Sequence, residues 1–95
     1  MENKIDSYKI FESVARNESI SKASEELFIS QPAVSQSIKK LEDSIGGELF
    51  NRTKFGMRLT SEGKIFYEHI KKGFRLYRKR WKGFYVFKKF RSRDN

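Results

Sequence analysis

The chain has 95 residues, enough for one small domain with a modest core. It holds no cysteine, which excludes disulfides, a thiol nucleophile and a zinc–thiolate site. Lys and Arg number 21 against 12 Asp and Glu, a net charge of +9 that points to a polyanionic partner, and no apolar run approaches the roughly 20 residues that span a bilayer.

The opening MENKIDSYKIFESV carries charges where a signal peptide needs an apolar stretch, so the chain reads as soluble and cytoplasmic. The excess charge is uneven. Residues 1–73 hold 12 Lys and Arg against 11 acids, a net of +1, whereas residues 74–95 hold nine against the single Asp94, a net of +8.

Ile5, Tyr8, Phe11 and Val14, with Ile10 and Ala15 beside them, repeat at helical spacing and predict a first helix over 4–17. Asn17-Glu18-Ser19 breaks it. Ser21 is the expected N-cap of a second helix over 22–28, with Ala23, Leu27 and Phe28 as its buried side. Ile29 is the expected buried residue of the turn that follows, and Ser30 caps a third helix. Pro32 falls in that helix's first turn, where its missing N–H costs nothing. Val34, Ile38, Leu41 and Ile45 stay within about 60° of one another at 100° per residue, an apolar stripe on one side only. Gly46-Gly47 ends the helix, because glycine accepts the left-handed C-cap cheaply.

Leu49-Phe50 and Met57-Arg58-Leu59 flank a turn near Lys54-Phe55-Gly56 and predict a small β-hairpin, or wing. Thr60 or Ser61 then caps a fourth helix that starts near Glu62. Phe66, Ile70, Phe74, Tyr77, Trp81 and Phe84 form a seam along it, suited to a helix of a second copy. Gly73 and Gly83 weaken that helix by about 1 kcal/mol each relative to alanine.

The third helix is fastened underneath and polar in front, as a helix must be to enter the major groove of DNA and meet its base edges. Its outward side centres on Pro32, Gln36, Lys39 and Lys40, with Ser35 at one edge. Gln36 has the amide for bidentate pairing with adenine, Ser35 suits a base edge or a phosphate, and Lys39 and Lys40 suit phosphates. The helix N-terminus at Ser30 and Gln31 offers N–H groups to a further phosphate. Arg52, Lys54 and Arg58 of the wing suit the backbone or an adjacent minor groove. Each residue also has an ordinary reading as a solvated or capping group. The order of short helix, three-residue turn, capped amphipathic helix and basic hairpin favours the DNA reading.

No catalytic or metal constellation accompanies this pattern. His69 is the single histidine and reads as a surface residue. Glu25-Glu26 and Glu42-Asp43 are adjacent acids facing different ways, and no Gly-rich phosphate loop is present. The expectation is a non-enzyme with no cofactor, no metal and no small-molecule effector site within these residues.

FESVARNESISKASEELFISQPAVSQSIKKLEDSIGGELFNRTKFGMRLTSEG resembles the N-terminal DNA-binding domain of LysR-type transcriptional regulators. The matching features are the phenylalanine of helix one, the S-x-x-x-A/S-x-x-L of helix two, SQPAVS, the I-x-x-L-E after it, G-x-x-LF-x-R at the start of the wing, and LT-x-x-G opening helix four. They cover about residues 3–65. The resemblance implies a mainly α winged helix-turn-helix that dimerises through the helix after the wing. It implies DNA contact at Gln31, Pro32, Ser35 and the wing residue Arg52. Gln36 stands where many members carry arginine, so base preference stays open.

The expected division is a DNA-binding domain over 3–60 with its helix-turn-helix at about 20–39, a linker and dimerisation helix over 61–83, and a poorly ordered basic-aromatic tail over 84–95. The expected DNA-contacting set is Ser30, Gln31, Pro32, Ser35, Gln36, Lys39, Lys40, Arg52, Lys54 and Arg58. The expected dimer seam is Phe66, Ile70, Phe74, Tyr77 and Trp81. The function expected is sequence-specific binding of near-palindromic duplex DNA by a homodimer, in a regulator reduced to its DNA-binding domain, since the family's effector domain would follow Asn95.

The final FRLYRKRWKGFYVFKKFRSRDN does not resemble the family's linker. It interleaves seven aromatics with nine cations, and it reads as the product of a truncated or frameshifted gene, a nucleic-acid arm, or a segment for an anionic membrane. Two rival functions follow: a non-sequence-specific nucleic-acid or membrane binder driven by this tail, and a dimerisation module that silences full-length relatives.

Overall fold

Helix α1 spans Lys4–Asn17 and turns Phe11, Val14 and Ala15 fully inward. The protein's structure, a computed structural model, describes residues 4–73. Phe74, Tyr77 and Trp81 of the expected seam, and the tail, lie outside the described residues.

Glu18 ends α1 in the left-handed region, at φ 54°, and Ser19 then returns to extended backbone. Helix α2 accordingly starts earlier than expected, spanning Ile20–Leu27. Its N-cap is Ser19, whose Oγ accepts the Lys22 N–H at 3.0 Å, and not Ser21, which lies exposed in the first turn. The shift puts Ile20 on the buried face with Ala23 and Ser24. Phe28 is likewise not a core residue. It is the left-handed C-cap at φ 58°, and that turn leaves its ring 93% exposed. The next residue, Ile29, packs against the core instead, its N–H donated to the Ser24 carbonyl at 3.1 Å.

Helix α3 spans Gln31–Ile45, with Ser30 Oγ accepting the Ala33 N–H at 3.2 Å and Pro32 in the first turn. Val34, Ile38 and Leu41 are buried, but Ile45 is 46% exposed because the last turn runs past the edge of the three-helix core. Gly46 closes the helix at φ 76°, its N–H on the Glu42 carbonyl at 2.8 Å.

The Glu42 carboxylate accepts the N–H groups of Leu49 at 2.8 Å and Phe50 at 3.2 Å, which fastens the start of the hairpin to α3. Strands β1, Phe50–Thr53, and β2, Gly56–Leu59, pair antiparallel with Phe50 opposite Leu59 and Thr53 opposite Gly56. Lys54 and Phe55 form the turn, where Thr53 Oγ1 accepts the Phe55 N–H at 3.0 Å. Nearer its turn, the hairpin is also held to the end of α1 by the Met57 N–H on the Glu18 carbonyl at 3.1 Å. Gly56 sits at φ 122°, and a Cβ there would meet that carbonyl oxygen at 2.5 Å, so no other residue fits easily.

Thr60, the first of the two expected caps, opens the next helix: its Oγ1 accepts the Gly63 N–H at 2.9 Å and donates to the Glu48 carbonyl at 2.7 Å. Residues 61–73 are helical and form α4. A Cβ on Gly63 would overlap the Leu49 carbonyl, which is why this first turn needs glycine. Phe66 packs its ring edge-on to Phe11 with centroids 5.0 Å apart, and Ile70 packs on the same core. The first two residues of the expected dimer seam are therefore engaged inside their own chain. The result is the mainly α winged helix-turn-helix expected from sequence.

The polar seam between α1 and α2 is self-contained. Arg16 Nε donates to Glu12 at 3.0 Å and its Nη1 to Glu26 at 3.1 Å, while Asn17 donates to Glu26 at 3.1 Å and to the Ser13 carbonyl at 2.9 Å. The hydrogen bond from Arg16, then that from Asn17, lowers the Glu26 carboxyl from its ordinary 4.5 to about 2. The two carboxylates raise the Arg16 guanidinium further above its ordinary value.

Candidate nucleic-acid interface

On the side of α3 away from the core, Pro32, Gln36, Lys39 and Lys40 are all exposed, Ser35 is half-buried at one edge, and Gln31 is exposed at the helix N-terminus. Among the described residues, no carboxylate comes within ion-pair distance of Lys39 or Lys40. Ser30 is committed to its cap, with its own side chain exposed beside Gln31. The helix is rigidly placed, because Val34, Ile38 and Leu41 hold it from beneath and Glu42 ties its C-terminal half to the wing.

Two clefts border this surface. The wing-side cleft, about 240 Å³, is lined by Ser35, Lys39, Arg52 and Glu42 over a floor of Ile20, Ile38, Phe50 and Met57. The cleft toward α1 is larger, about 450 Å³, and takes Gln36, Ser37 and Lys40 from α3 and Ser7 and Lys9 from α1.

The hairpin register separates the wing cations. Arg52 stands opposite Met57, on the hairpin face that Phe50 shares, and so points toward α3. Arg58 stands opposite Asn51 on the other face, with its Nε 4.0 Å from Glu18 Oε1. The structure thus brings Arg52 to the outward side of α3 and does not bring Arg58 there. Lys54 is at the exposed tip, its Nζ 5.7 Å from the centroid of the Phe55 ring, which is itself 78% exposed.

His69 lines a separate shallow groove of about 300 Å³ with Ile45, Leu49, Ile65 and Phe66. Ile65 there is 62% exposed, and among the described residues of α4 it, rather than Phe66, is the large apolar side chain left open. The sequence alone does not reveal Glu42 as the tether of the wing, nor Lys9 as a neighbour of the polar side of α3. The I-x-x-L-E motif held the first of these. The only signal for Lys9 was a cation on the polar side of α1.

Residues 5–64 match the family described as bacterial regulatory helix-turn-helix protein, lysR family. The glycine cleavage system transcriptional activator of Escherichia coli strain K12 is 41% identical over 70 residues, which are 74% of this chain and 23% of that protein. The chain thus spans about a quarter of the length of the curated relatives it first matches. Among solved structures, the complex of the BenM DBD with benA site 1 DNA superposes with a TM-score of 0.81 at 28% identity, covering 92% of this chain and 99% of that one. The CbnR DBD–DNA complex gives 0.79 at 27% identity, covering 90% and 97%.

Proposed function

This chain belongs to the lysR family of bacterial regulatory helix-turn-helix proteins, and from that premise we propose that it binds duplex DNA in a sequence-dependent way and regulates transcription in the cytoplasm. One observation carries the reading: α3 is buried along Val34, Ile38 and Leu41 while its opposite side stays open and polar. Laid in a major groove, that side brings the Gln36 amide to base edges, where it matches adenine. Gln31, Pro32 and Ser35 border the same bases and the nearest phosphate. Lys39, Lys40 and Arg52 neutralise phosphates, and Lys54 at the wing tip reaches the backbone or the adjacent minor groove.

Two copies pair through α4, on the same reading, and place their α3 helices in successive major grooves about 34 Å apart on near-palindromic DNA. The exposed Ile65 supports α4 as the pairing element, as does the apolar spacing that continues beyond it in sequence.

Binding to a duplex selected from a random pool, set against a random duplex of equal length, tests the roles. Gln36→Ala is expected to narrow the preference by about 1–3 kcal/mol, mostly by weakening the selected duplex. Lys39→Ala is expected to weaken both duplexes alike. Equal losses on every duplex for both variants would refute the assignment.

A further inference from the structure

The larger cleft is made where α1 passes beside α3. Ser7 and Lys9 come from α1, and Gln36, Ser37 and Lys40 from α3. Ile10, Leu27, Ile29 and Ala33 complete its lining. No carboxylate occurs among its described lining residues. Among the described residues, Lys9 and Lys40 also have no acid within ion-pair distance. Two lysines, two serines and a glutamine thus line one opening, and each has a side-chain group able to donate to an oxyanion.

The position of this opening says which oxyanion. Ala33, Gln36, Ser37 and Lys40 line it from α3, whereas Ser35, Ile38, Lys39 and Glu42 line the wing cleft. At 3.6 residues per turn the two sets are centred roughly 160° apart across the outward side of the helix. A helix in the major groove, which is about 12 Å wide, has one phosphate strand on each flank. Lys39 and Arg52 serve the wing flank. On the other flank, α3 supplies only Lys40, and α1 supplies the second cation.

We propose that this cleft is a second phosphate site, in which Lys9 of α1 and Lys40 of α3 clamp the DNA strand on the far side of the groove from the wing. Ser7 and Ser37 donate to the same phosphate oxygens. The proposal rests on the reading that α3 enters the duplex, and it adds α1 to the elements that touch DNA. Commitment to a backbone phosphate, over a free anion, follows from continuity: Gln36 and Lys40 belong both to the cleft lining and to the exposed side of α3.

Affinity of the 95-residue chain for the selected and the random duplex, measured across a salt series, tests the clamp. Lys9→Gln is expected to flatten the slope of log K against log salt by about 0.9 per chain, equally on both duplexes. Lys9→Arg restores it, and Lys64→Gln, exposed on α4 and lining neither cleft, leaves it unchanged. A Lys9→Gln variant with the parental slope and the parental unfolding midpoint would overturn the proposal. So would inorganic phosphate shifting the Ser37 and Lys40 amide resonances while the duplex slope of Lys9→Gln stays parental, since the cleft would then be a free-anion site. Failure of the underlying reading looks different: the parent would show no preference between duplexes, or would bind none, and the latter overturns the clamp as well.

Discussion

The polar side of α1 and the polar side of α3 carry similar side chains and use them in opposite ways. On α1, Arg16 donates to Glu12 and to Glu26 of α2, and Asn17 to Glu26 and the Ser13 carbonyl, so charge meets charge within the fold. On α3, Gln31, Gln36, Lys39 and Lys40 are exposed, and neither lysine has an acid partner among the described residues. Charge by itself therefore does not mark a site. Nor does an unpaired lysine, since Lys22 and Lys64 are also exposed without an acid partner among the described residues; what sets α3 apart is that its cations stand together with Gln36 on one face that is braced from behind. Lys9 shows that the division runs within α1 as well: its Arg16 end closes on α2, while its Lys9 end opens on the cleft beside α3.

Removing the brace should produce the largest effect. Ile38 is buried under the middle of α3, and Ile38→Ala is expected to cost about 2–5 kcal/mol of stability. Gln36→Ala, two residues away and exposed, is expected to stay within about 0.5 kcal/mol of the parent. Urea unfolding of both variants checks this. Comparable losses would mean that Gln36 contributes to packing and that the two sides of the helix are not separable.

A second, smaller effect concerns the self-satisfied surface. The folded-state Glu26 carboxyl titrates near 2, below its ordinary 4.5, so unfolding takes up a proton between these values. The pair's contribution to stability is complete above about pH 4.5 and disappears as the pH falls toward 2. Glu26→Gln should lower the unfolding midpoint at neutral pH and converge with the parent in acid, while duplex binding at neutral pH stays as it was. A stability gap that persists unchanged to pH 2 would assign the loss to something other than this carboxylate.

The buried brace and the exposed polar side of α3 are largely legible in the sequence because they rest on local rules. Helical spacing gave Val34, Ile38 and Leu41, the Ser30 cap and Gly46 gave the ends of α3, and a Gly-containing turn between short apolar runs gave the hairpin. The errors arose where the backbone took a course that residue type does not announce. Glu18 and Phe28 adopt left-handed conformations usually left to glycine or asparagine, which moved the α2 cap back to Ser19 and turned Phe28 to solvent. Periodicity also cannot tell whether an apolar stripe faces its own chain or another, and Phe66 of the expected seam packs on one side against Phe11. The tether from Glu42 to Leu49 and Phe50 crosses seven and eight residues, outside any helical or strand repeat.

The smallest expected effect is also the sharpest test of how the wing is used. Arg52 and Arg58 are both exposed cations on one hairpin, and sequence alone treats them as equals. Strand register places them on opposite faces, Arg52 beside Ser35 and Lys39 and Arg58 beside Glu18. If contact decides, Arg52→Ala should flatten the salt slope by about 0.9, and Arg58→Ala should leave it nearly intact. Some long-range loss is expected for Arg58→Ala, because the Debye length at 0.1 M salt is about 10 Å, but raising the salt should erase it. Its loose exposed pair with Glu18 adds little to stability, so folding will not confuse the comparison. If the two variants instead lowered the slope alike at every salt concentration, the wing would act as diffuse positive charge, and the face on which an arginine sits would carry no information about DNA.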